Sequence, residues 1–347
     1  MDIISILDTI TSKERLESIK KSVLELSKKV ESHTEKTINY SFNNGDHQSI
    51  RREFLLRELK QILETRTIER TKYYLNRLIK SLSVEKAGKI NDLNLNRWKE
   101  YEDIITDSLW IFDKRDTSGM HKAGYWGNFI PQIPNQLLRR YSKKGEWVLD
   151  PFLGSGTTLI ECKRLGRNGI GIELNDQVAN ATRVTLNKEK NPFKVTTNVI
   201  RGDSRTIDQK SLFKKLKVES FQFLIMHPPY WDIIKFSNDK DDLSNARSTR
   251  DFLGMFRKVA DNFYPILDKG RYCAVVIGDK YSAGEWIPLG FLVMQEMLHK
   301  GFKLKSTIIK NFDQTTAKRN QKELWRYRAL AGGFYIFKHE YIFIFQK

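Results

Sequence analysis

The sequence predicts an α/β fold with a mostly parallel sheet, preceded by a helical domain at the N-terminus. In residues 1–100, apolar residues recur every three or four positions, as in amphipathic helices. From about residue 145, short apolar runs alternate with helix-like stretches, a pattern that builds a parallel sheet covered on both faces. The 347 residues are 40% hydrophobic, which is enough to form one large domain or two ordinary ones.

The N-terminal domain is predicted to consist of helices. One helix is capped by Ser12, and a second long helical stretch covers residues 50–82. Between them, the polar segment 41–47 is predicted to be a loop. We place this domain at residues 1–100.

The C-terminal domain, placed at residues 101–347, contains the predicted sheet. Its clearest strands are 147–150, 169–173, 221–226 and 272–277. The chain ends in an aromatic and β-branched segment, 334–345, which leaves no room for a crossover helix. This last segment is therefore predicted to be an antiparallel strand at or near the edge of the sheet.

The charge of the chain points to a polyanionic partner, with nucleic acid first among the candidates. Lys and Arg number 60 against 42 Asp and Glu, a net charge of +18 at pH 7. Residues 300–347 hold 11 basic and 3 acidic residues, interleaved with aromatic side chains that can stack on bases. The basic residues predicted to bind nucleic acid are Lys310, Lys318, Arg319, Lys322, Arg326 and Arg328. For residues 1–100, two roles stay open, a helical bundle or dimerisation arm and a DNA-contacting domain.

Several classes of protein are disfavoured. No apolar run approaches the roughly 20 residues needed to cross a bilayer, and the N-terminus lacks the order of a signal peptide. The two cysteines, Cys162 and Cys273, form no CxxC motif or Cys/His cluster. We therefore expect a cytoplasmic protein with no metal site and no membrane contact.

A glycine-rich turn follows the first strand of the sheet, in the segment Asp150-Pro-Phe-Leu-Gly-Ser-Gly-Thr-Thr158. Gly154 and Gly156 permit a sharp turn and the close approach of a ligand to the backbone. Thr157 and Thr158 are expected to cap the helix that follows. The turn therefore predicts a site for a nucleotide-like ligand.

Acidic residues follow two further strands. Glu173 ends the second strand, where a carboxylate can accept hydrogen bonds from both hydroxyls of a ribose. Asp203 follows the third strand and is suited to accept a hydrogen bond from an adenine amino group. Because a Walker lysine is missing from the turn, phosphate-driven ATP chemistry is disfavoured.

The fourth strand leads into His227-Pro-Pro-Tyr-Trp231. Paired prolines forbid a helix and hold the backbone carbonyls in fixed directions. Such a turn beside a ligand can hold a planar amino group between hydrogen-bond acceptors while an aromatic ring stacks on its base.

These motifs resemble those of the S-adenosylmethionine-dependent DNA amino-methyltransferases, which modify the exocyclic nitrogen of adenine or cytosine. The resemblance covers roughly residues 120–347. It rests on the segment 150–158, on His227-Pro-Pro-Tyr230, on the segment Asn128-Phe-Ile-Pro131 through Leu137, and on the closing strand 339–347. It implies a Rossmann-like methyltransferase fold with a seven-stranded sheet, and S-adenosylmethionine as cofactor.

The resemblance also implies site residues. Those expected to bind the cofactor are Phe129, Pro131, Asp150, Phe152, Gly154, Ser155, Gly156, Thr157, Glu173 and Asp203. Those expected at the catalytic motif are His227, Pro228, Pro229 and Tyr230. His227 and the Pro228 carbonyl would accept the hydrogens of the target amine, and Tyr230 would stack on a base flipped out of the duplex. Trp231 or Phe236 would wall the pocket, so Trp231 is also predicted to contact nucleic acid.

The sequence departs from the family pattern in one residue, because the family's catalytic motif usually begins with Asp, Asn or Ser instead of His227. The methylated base, cytosine or adenine, therefore stays open. Recognition of a target sequence would come from the N-terminal helices, from loops 231–250 and 311–335, or from another subunit. The partners implied are double-stranded DNA and a restriction endonuclease or other defence-system subunit, with the chain a monomer or homodimer. Two alternatives remain, an RNA amino-methyltransferase and a catalytically inactive DNA-binding relative.

Overall fold

The computed structural model describes residues 2–42, 46–121, 124–125, 127–311 and 322–347. Within them, the chain divides into two compact units. The first consists of Met1–Lys89 and Leu93–Ile104, and the second of Ile90–Asp92 and Ile105–Lys347.

The N-terminal unit combines helices with a hairpin. Its elements are α1 (Ile3–Thr11), α2 (Leu16–Glu31), β1 (Thr37–Phe42), β2 (Asp46–Arg51), α3 (Arg52–Leu63) and α4 (Ile68–Ser83). The expectation of a purely helical domain is wrong here, because β1 and β2 pair as antiparallel strands on either side of residues 43–45. Buried and exposed residues alternate along the hairpin, as in strands with one face on a core. Ile38, Tyr40 and Ile50 are buried in the core of the unit, whereas Asn39 is exposed. The role of this unit, in recognition or in dimerisation, stays a prediction.

The C-terminal unit alternates strands and helices. Its strands are β3 (Leu109–Trp110), β4 (Trp147–Asp150), β5 (Asn168–Glu173), β6 (Thr197–Arg201), β7 (Phe221–Met226), β8 (Leu267–Ile277), β9 (Lys280–Ser282), β10 (Glu285–Ile287), β11 (Lys303–Asn311) and β12 (His339–Gln346). Its helices are α5 (Gln132–Tyr141), α6 (Thr157–Leu165), α7 (Asp176–Lys188), α8 (Gln209–Leu216), α9 (Thr249–Phe263), α10 (Leu289–Lys300) and α11 (Lys322–Gly332).

Eight of these strands form one sheet in the order β3-β11-β12-β8-β7-β4-β5-β6. The pairing is parallel throughout except at β12, which runs antiparallel to both β11 and β8. The predicted mostly parallel α/β fold with an antiparallel strand near the C-terminus is confirmed. The predicted strand number is wrong, because the short strand β3 adds an eighth member, and β12 is the third strand from that edge, outside β8.

Both faces of the sheet are buried, as the continuous apolar strands predict. Successive residues of a strand enter opposite cores, so Phe223 and Ile225 of β7 pack on one side and Leu224 on the other. Aromatic residues of α9, including Phe252, cover the side that Leu224 faces. Residues of α5, including Leu137, cover the opposite side. The carboxyl ends of the parallel strands are thereby held at one edge.

No helix in the described part of the chain is long and apolar enough to cross a membrane.

Candidate active site

The site lies where neighbouring parallel strands end. Strands β6, β5, β4 and β7 are adjacent in the sheet, so the segments that follow them emerge side by side. The segments after β4, β5, β6 and β7 contribute to one pocket, which is also lined by a segment before α5 and by part of loop 231–250. The lining residues are Tyr125, Gly127, Asn128, Phe129, Pro151, Phe152, Leu153, Gly154, Thr157, Ile172, Glu173, Leu174, Gly202, Asp203, Ser204, His227, Pro228, Pro229, Phe236, Asp241, Asp242, Leu243 and Val259.

The glycine-rich turn between β4 and α6 takes the form that the sequence predicts. Gly154 and Gly156 both have positive φ, 53° and 83°, a conformation that favours glycine. A Cβ atom at Gly156 would lie 2.6 Å from the Thr182 side chain, so α7 also requires glycine there. The expected threonine caps are wrong, because Gly156 is the N-cap residue of α6 and Thr158 donates a hydrogen bond to Asp150.

Asp150 lies behind the turn, outside the pocket lining, and only 1% of it is exposed. One carboxylate oxygen accepts a hydrogen bond from the Phe152 N–H at 2.9 Å, and the other accepts one from the Thr158 hydroxyl at 2.6 Å. Burial raises the pKa of Asp150 to about 7. The structure therefore gives this carboxyl a role in holding the turn.

We predict that Asp150→Asn changes the pH dependence of stability. Between about pH 4 and pH 7 the folded protein keeps a proton on Asp150 that the unfolded chain has released, so the wild type loses stability as pH rises. The variant has no such proton, and its amide can still accept from Phe152. In denaturant unfolding from pH 5 to pH 8, the wild type should lose stability relative to Asp150→Asn. A pH-independent difference would contradict the raised pKa.

Glu173 joins the turn to the end of β5 and lines the pocket. Its Oε2 accepts a hydrogen bond from the Gly154 N–H at 2.9 Å, and its Oε1 accepts one from the Asn175 N–H at 2.8 Å. Burial raises the pKa of this carboxyl, and the two backbone donors oppose that effect. Because a carboxylate has about four lone-pair sites, acceptor capacity remains for a ligand hydroxyl.

Asp203 also lines the pocket, but its carboxylate is strongly engaged. Arg205 binds both oxygens, with Nε at 3.0 Å from each and a terminal nitrogen at 2.7 Å from Oδ2. The same guanidinium pairs at 2.7 Å with Asp241 of loop 231–250. Arg205 therefore ties the end of β6 to the loop and leaves Asp203 less free to accept from a ligand than Glu173.

His227 follows β7 and is partly buried in the pocket wall beside Pro228 and Pro229. The Phe129 ring packs against the imidazole, with centroids 4.8 Å apart and planes inclined by 37°. Burial, and to a lesser extent the charge of Lys310, lowers the pKa of His227 to about 3. The imidazole is therefore neutral at physiological pH and can accept a hydrogen bond.

Tyr230 does not line the pocket itself. Its hydroxyl lies 3.2 Å from His227 Nε2 and donates a hydrogen bond to Glu340 Oε2 at 2.6 Å. The next residue, Trp231, has a positive φ of 52°, and its indole N–H donates to the Ala246 carbonyl at 2.8 Å. Lys280 lies over the Trp231 ring, with Nζ 3.8 Å from the centroid. These contacts anchor the start of loop 231–250.

The structure brings together six of the ten residues predicted to bind the cofactor. Phe129, Phe152, Gly154, Thr157, Glu173 and Asp203 line the pocket. Pro131, Asp150, Ser155 and Gly156 lie outside that lining, with Pro131 at the start of α5 and Ser155 accepting a hydrogen bond from Asn128 at 3.0 Å.

Sequence reasoning missed several residues of the site. Tyr125, Arg205 and Asp242 come from segments without a recognised motif, whereas Glu340 belongs to the closing strand, to which the resemblance assigned no site residue. Of these residues, Glu340 gave a signal in the sequence, because it is a charged residue directly before the apolar run 341–345 of the closing strand.

The basic residues predicted to bind nucleic acid differ in their exposure to solvent. The prediction that Lys310 binds DNA is wrong. This residue is 6% exposed and its Nζ lies 3.3 Å from a carboxylate oxygen of Glu340, so it is not placed to contact DNA. Arg326 and Arg328 lie exposed on α11. Lys318 and Arg319 lie outside the described residues, and Lys322 is described only as the first residue of α11.

Among the described residues, no cluster of three or more His, Cys, Asp and Glu side chains could hold a metal ion.

The chain is similar to known methyltransferases over part of its length. The chain is 41% identical over 84 residues to the type II methyltransferase M.MjaII of Methanocaldococcus jannaschii, covering 22% of this chain and 16% of that protein. It is 37% identical over 100 residues to the type II methyltransferase M2.DpnII of Streptococcus pneumoniae, covering 27% and 34% respectively. The matched regions thus span about a third or less of these two relatives.

A solved structure, TrmN from Thermus thermophilus, is 16% identical and has a TM-score of 0.42, covering 64% of this chain and 50% of that one. Residues 9–183 and 221–347 match the sequence profile of a family described as DNA methylase, and these two ranges include most of the chain. They contain the glycine-rich turn, Glu173, His227-Pro-Pro-Tyr230 and Glu340. The chain therefore belongs to the DNA methylase family, with S-adenosylmethionine as its methyl donor.

Proposed function

We propose that the protein is a DNA methyltransferase that methylates the exocyclic amino group of cytosine or adenine in a base flipped out of the duplex. The observation that carries this proposal is the shared pocket. Gly154 and Glu173, suited to a nucleoside cofactor, and His227 and Pro228, suited to an amino group, line the same cavity.

The residues present fit S-adenosylmethionine. Gly154 places backbone without a side chain at the pocket, and a Cβ atom there would lie 3.1 Å from the Tyr125 ring. Glu173 offers lone pairs to ribose hydroxyls. The rings of Phe129 and Phe152 give the pocket apolar surface next to these polar groups.

When bound, S-adenosylmethionine supplies an electrophilic methyl group. The amino nitrogen of a base is a poor nucleophile, because its lone pair is delocalised into the ring. Acceptors for its two hydrogens, His227 and the Pro228 carbonyl, would orient the nitrogen and raise its electron density. In the transfer that these acceptors would orient, the methyl group would pass from sulfur to the amino nitrogen, which would then release one of its protons. Because burial lowers the pKa of His227 to about 3, the imidazole would be a weak base for this proton, which would leave to solvent.

The proposal is tested by methyl transfer in vitro. Purified protein with S-adenosylmethionine labelled in its methyl group is incubated with mixed-sequence duplex DNA or with RNA of matched sequence. We expect the wild-type protein to transfer label to the DNA and the His227→Ala variant to transfer little. Label in RNA alone would favour an RNA methyltransferase, and cofactor binding without transfer to either polymer would indicate an inactive relative.

A second prediction concerns the exposed arginines of α11. We expect DNA binding to weaken steeply with salt, and the double variant Arg326→Gln/Arg328→Gln to flatten the slope of log affinity against log salt by up to about 0.9 for each phosphate that is no longer neutralised. The matched control is Lys214→Gln/Lys215→Gln, which removes the same charge from two exposed residues of α8. If both double variants change the slope equally, α11 is an ordinary solvated surface.

A further inference from the structure

A chain of polar contacts leads from His227 away from the pocket into the sheet. His227 Nε2 lies 3.2 Å from the Tyr230 hydroxyl, which donates to Glu340 Oε2 at 2.6 Å. Glu340 Oε1 lies 3.3 Å from Lys310 Nζ. One end of this series of contacts is a site residue, and the other is a buried ion pair whose Lys310 charge makes a small contribution to the lowered pKa of His227.

The ion pair between Lys310 and Glu340 is buried, which costs free energy because both charges lose their hydration. Glu340 and Lys310 are 4% and 6% exposed, and they are cross-strand partners in β12 and β11. Their neighbours along these strands, Ile308 and Ile342, belong to an apolar core. A buried pair of charges contributes little net stability compared with apolar residues of similar volume, because both charges lose their hydration. The pair therefore calls for an explanation other than stability.

The hydrogen-bond donors in this series of contacts, from Lys310 to His227, determine where each hydrogen lies. An ammonium group only donates, so Glu340 accepts from Lys310 through Oε1 and from Tyr230 through Oε2. Tyr230 has a single hydroxyl proton, and Glu340 receives it. The Tyr230 oxygen can then only accept from His227, so Nε2 must carry hydrogen and Nδ1 must carry the lone pair.

We propose that Glu340 is a positioning residue which, through Tyr230, holds His227 in the tautomer with hydrogen on Nε2 and a free lone pair on Nδ1. Lys310 balances the charge of Glu340. This inference rests on the proposed function, in which His227 accepts a hydrogen from the target amine, and it names the atom that does so.

Other contacts hold the same arrangement. The Tyr230 ring lies against the backbone at the end of β8, where a Cβ atom at Gly278 would be 2.9 Å from the ring. Burial and the neighbouring Glu340 raise the pKa of Tyr230, which keeps its hydroxyl protonated and able to donate. With Phe129 packed on the imidazole, His227 is held by a ring on its face and a hydrogen bond at its edge.

Glu340→Gln tests the inference because it keeps the shape and reverses one hydrogen bond. The amide oxygen of glutamine would accept from Lys310, so its NH₂ group would face Tyr230 and donate to the hydroxyl oxygen. Tyr230 would then turn its proton toward His227 Nε2. We expect His227 to switch to the tautomer with hydrogen on Nδ1, which removes the acceptor.

The tautomer is read from the ¹⁵N chemical shifts of the imidazole nitrogens in the free protein, which differ according to which nitrogen carries hydrogen. His227→Asn identifies the His227 signals among the six histidines. We expect hydrogen on Nε2 in the wild type, on Nδ1 in Glu340→Gln, and a mixture in Tyr230→Phe, which lacks the hydroxyl. The matched control, Glu296→Gln, alters a buried glutamate that pairs with Arg257 and should leave the tautomer unchanged.

The inference is overturned if the wild type carries hydrogen on Nδ1, or if Glu340→Gln keeps it on Nε2. Because this readout needs neither DNA nor cofactor, it is independent of the proposed function. Single-turnover methyl transfer should fall about tenfold in Glu340→Gln and stay unchanged in Glu296→Gln. A switched tautomer with an unchanged rate would support the positioning role of Glu340 and contradict the acceptor role of His227.

Discussion

His227→Ala is expected to slow single-turnover methyl transfer by about 10²- to 10³-fold, the cost typical of removing one preoriented polar group from an active site. Affinity for DNA and for cofactor should change little, because the imidazole is proposed to act on the amine during the chemical step. His227→Asn keeps a neutral acceptor at this position and should lose less, about tenfold. If His227→Ala transfers methyl groups at the wild-type rate, or if His227→Asn is no faster than His227→Ala, then His227 does not accept a hydrogen from the amine.

The acceptor role of His227 also determines how the methyl-transfer rate of the wild type depends on pH. An ordinary histidine, with a pKa near 6.5, would lose its acceptor as pH fell through that value. Because burial lowers the pKa of His227 to about 3, the imidazole stays neutral well below pH 6. The single-turnover rate with saturating DNA and cofactor should therefore show no fall near pH 6.5. A fall there that is absent from His227→Asn would mean that the imidazole titrates normally.

The second large effect is expected at Glu173. Glu173→Ala should weaken the binding of S-adenosylmethionine by roughly 1 to 3 kcal/mol, the cost of losing hydrogen bonds to a charged acceptor, which corresponds to about 5- to 150-fold in Kd. Calorimetric titration of each variant measures this directly. Asp203→Ala should have the smaller effect, because Arg205 already occupies both oxygens of that carboxylate.

Glu173 also holds the turn, so the comparison needs a structural control. The alanine variant leaves the N–H groups of Gly154 and Asn175 without their carboxylate, whereas Glu173→Gln keeps an oxygen for one of them. Thermal unfolding of all three variants shows whether the turn survives. An unchanged Kd in a folded Glu173→Ala variant would refute the ribose assignment, and a larger effect at Asp203 would reverse the ranking.

Much of the fold and the core of the site could be predicted from the sequence, because they depend on local patterns. The short apolar runs at β4, β5 and β7 are bounded by turn residues, and each delivers its functional residue within a few positions. Parallel strands then bring Glu173, Asp203 and His227 to one edge without further information.

The remaining features depend on contacts between distant segments. Nothing local in the sequence shows that Lys310 pairs with Glu340 across two strands, so a basic residue in a basic stretch was wrongly predicted to bind DNA. The insertion of β12 between β8 and β11 likewise depends on pairing across the sheet, whereas the sequence predicted only a strand at or near the edge. The Arg205 bridge from Asp203 to Asp241 joins segments that only the folded loop brings together.

The central claim is that the protein methylates an exocyclic amino group of DNA, and the identity of the product nucleoside tests it most directly. Duplex DNA is incubated with the protein and S-adenosylmethionine, digested to nucleosides and analysed by mass spectrometry against standards. We predict a single new product, N4-methyldeoxycytidine or N6-methyldeoxyadenosine, that is strongly reduced with His227→Ala. Finding 5-methyldeoxycytidine instead, or no modified deoxynucleoside from protein that binds both cofactor and DNA, would contradict the account.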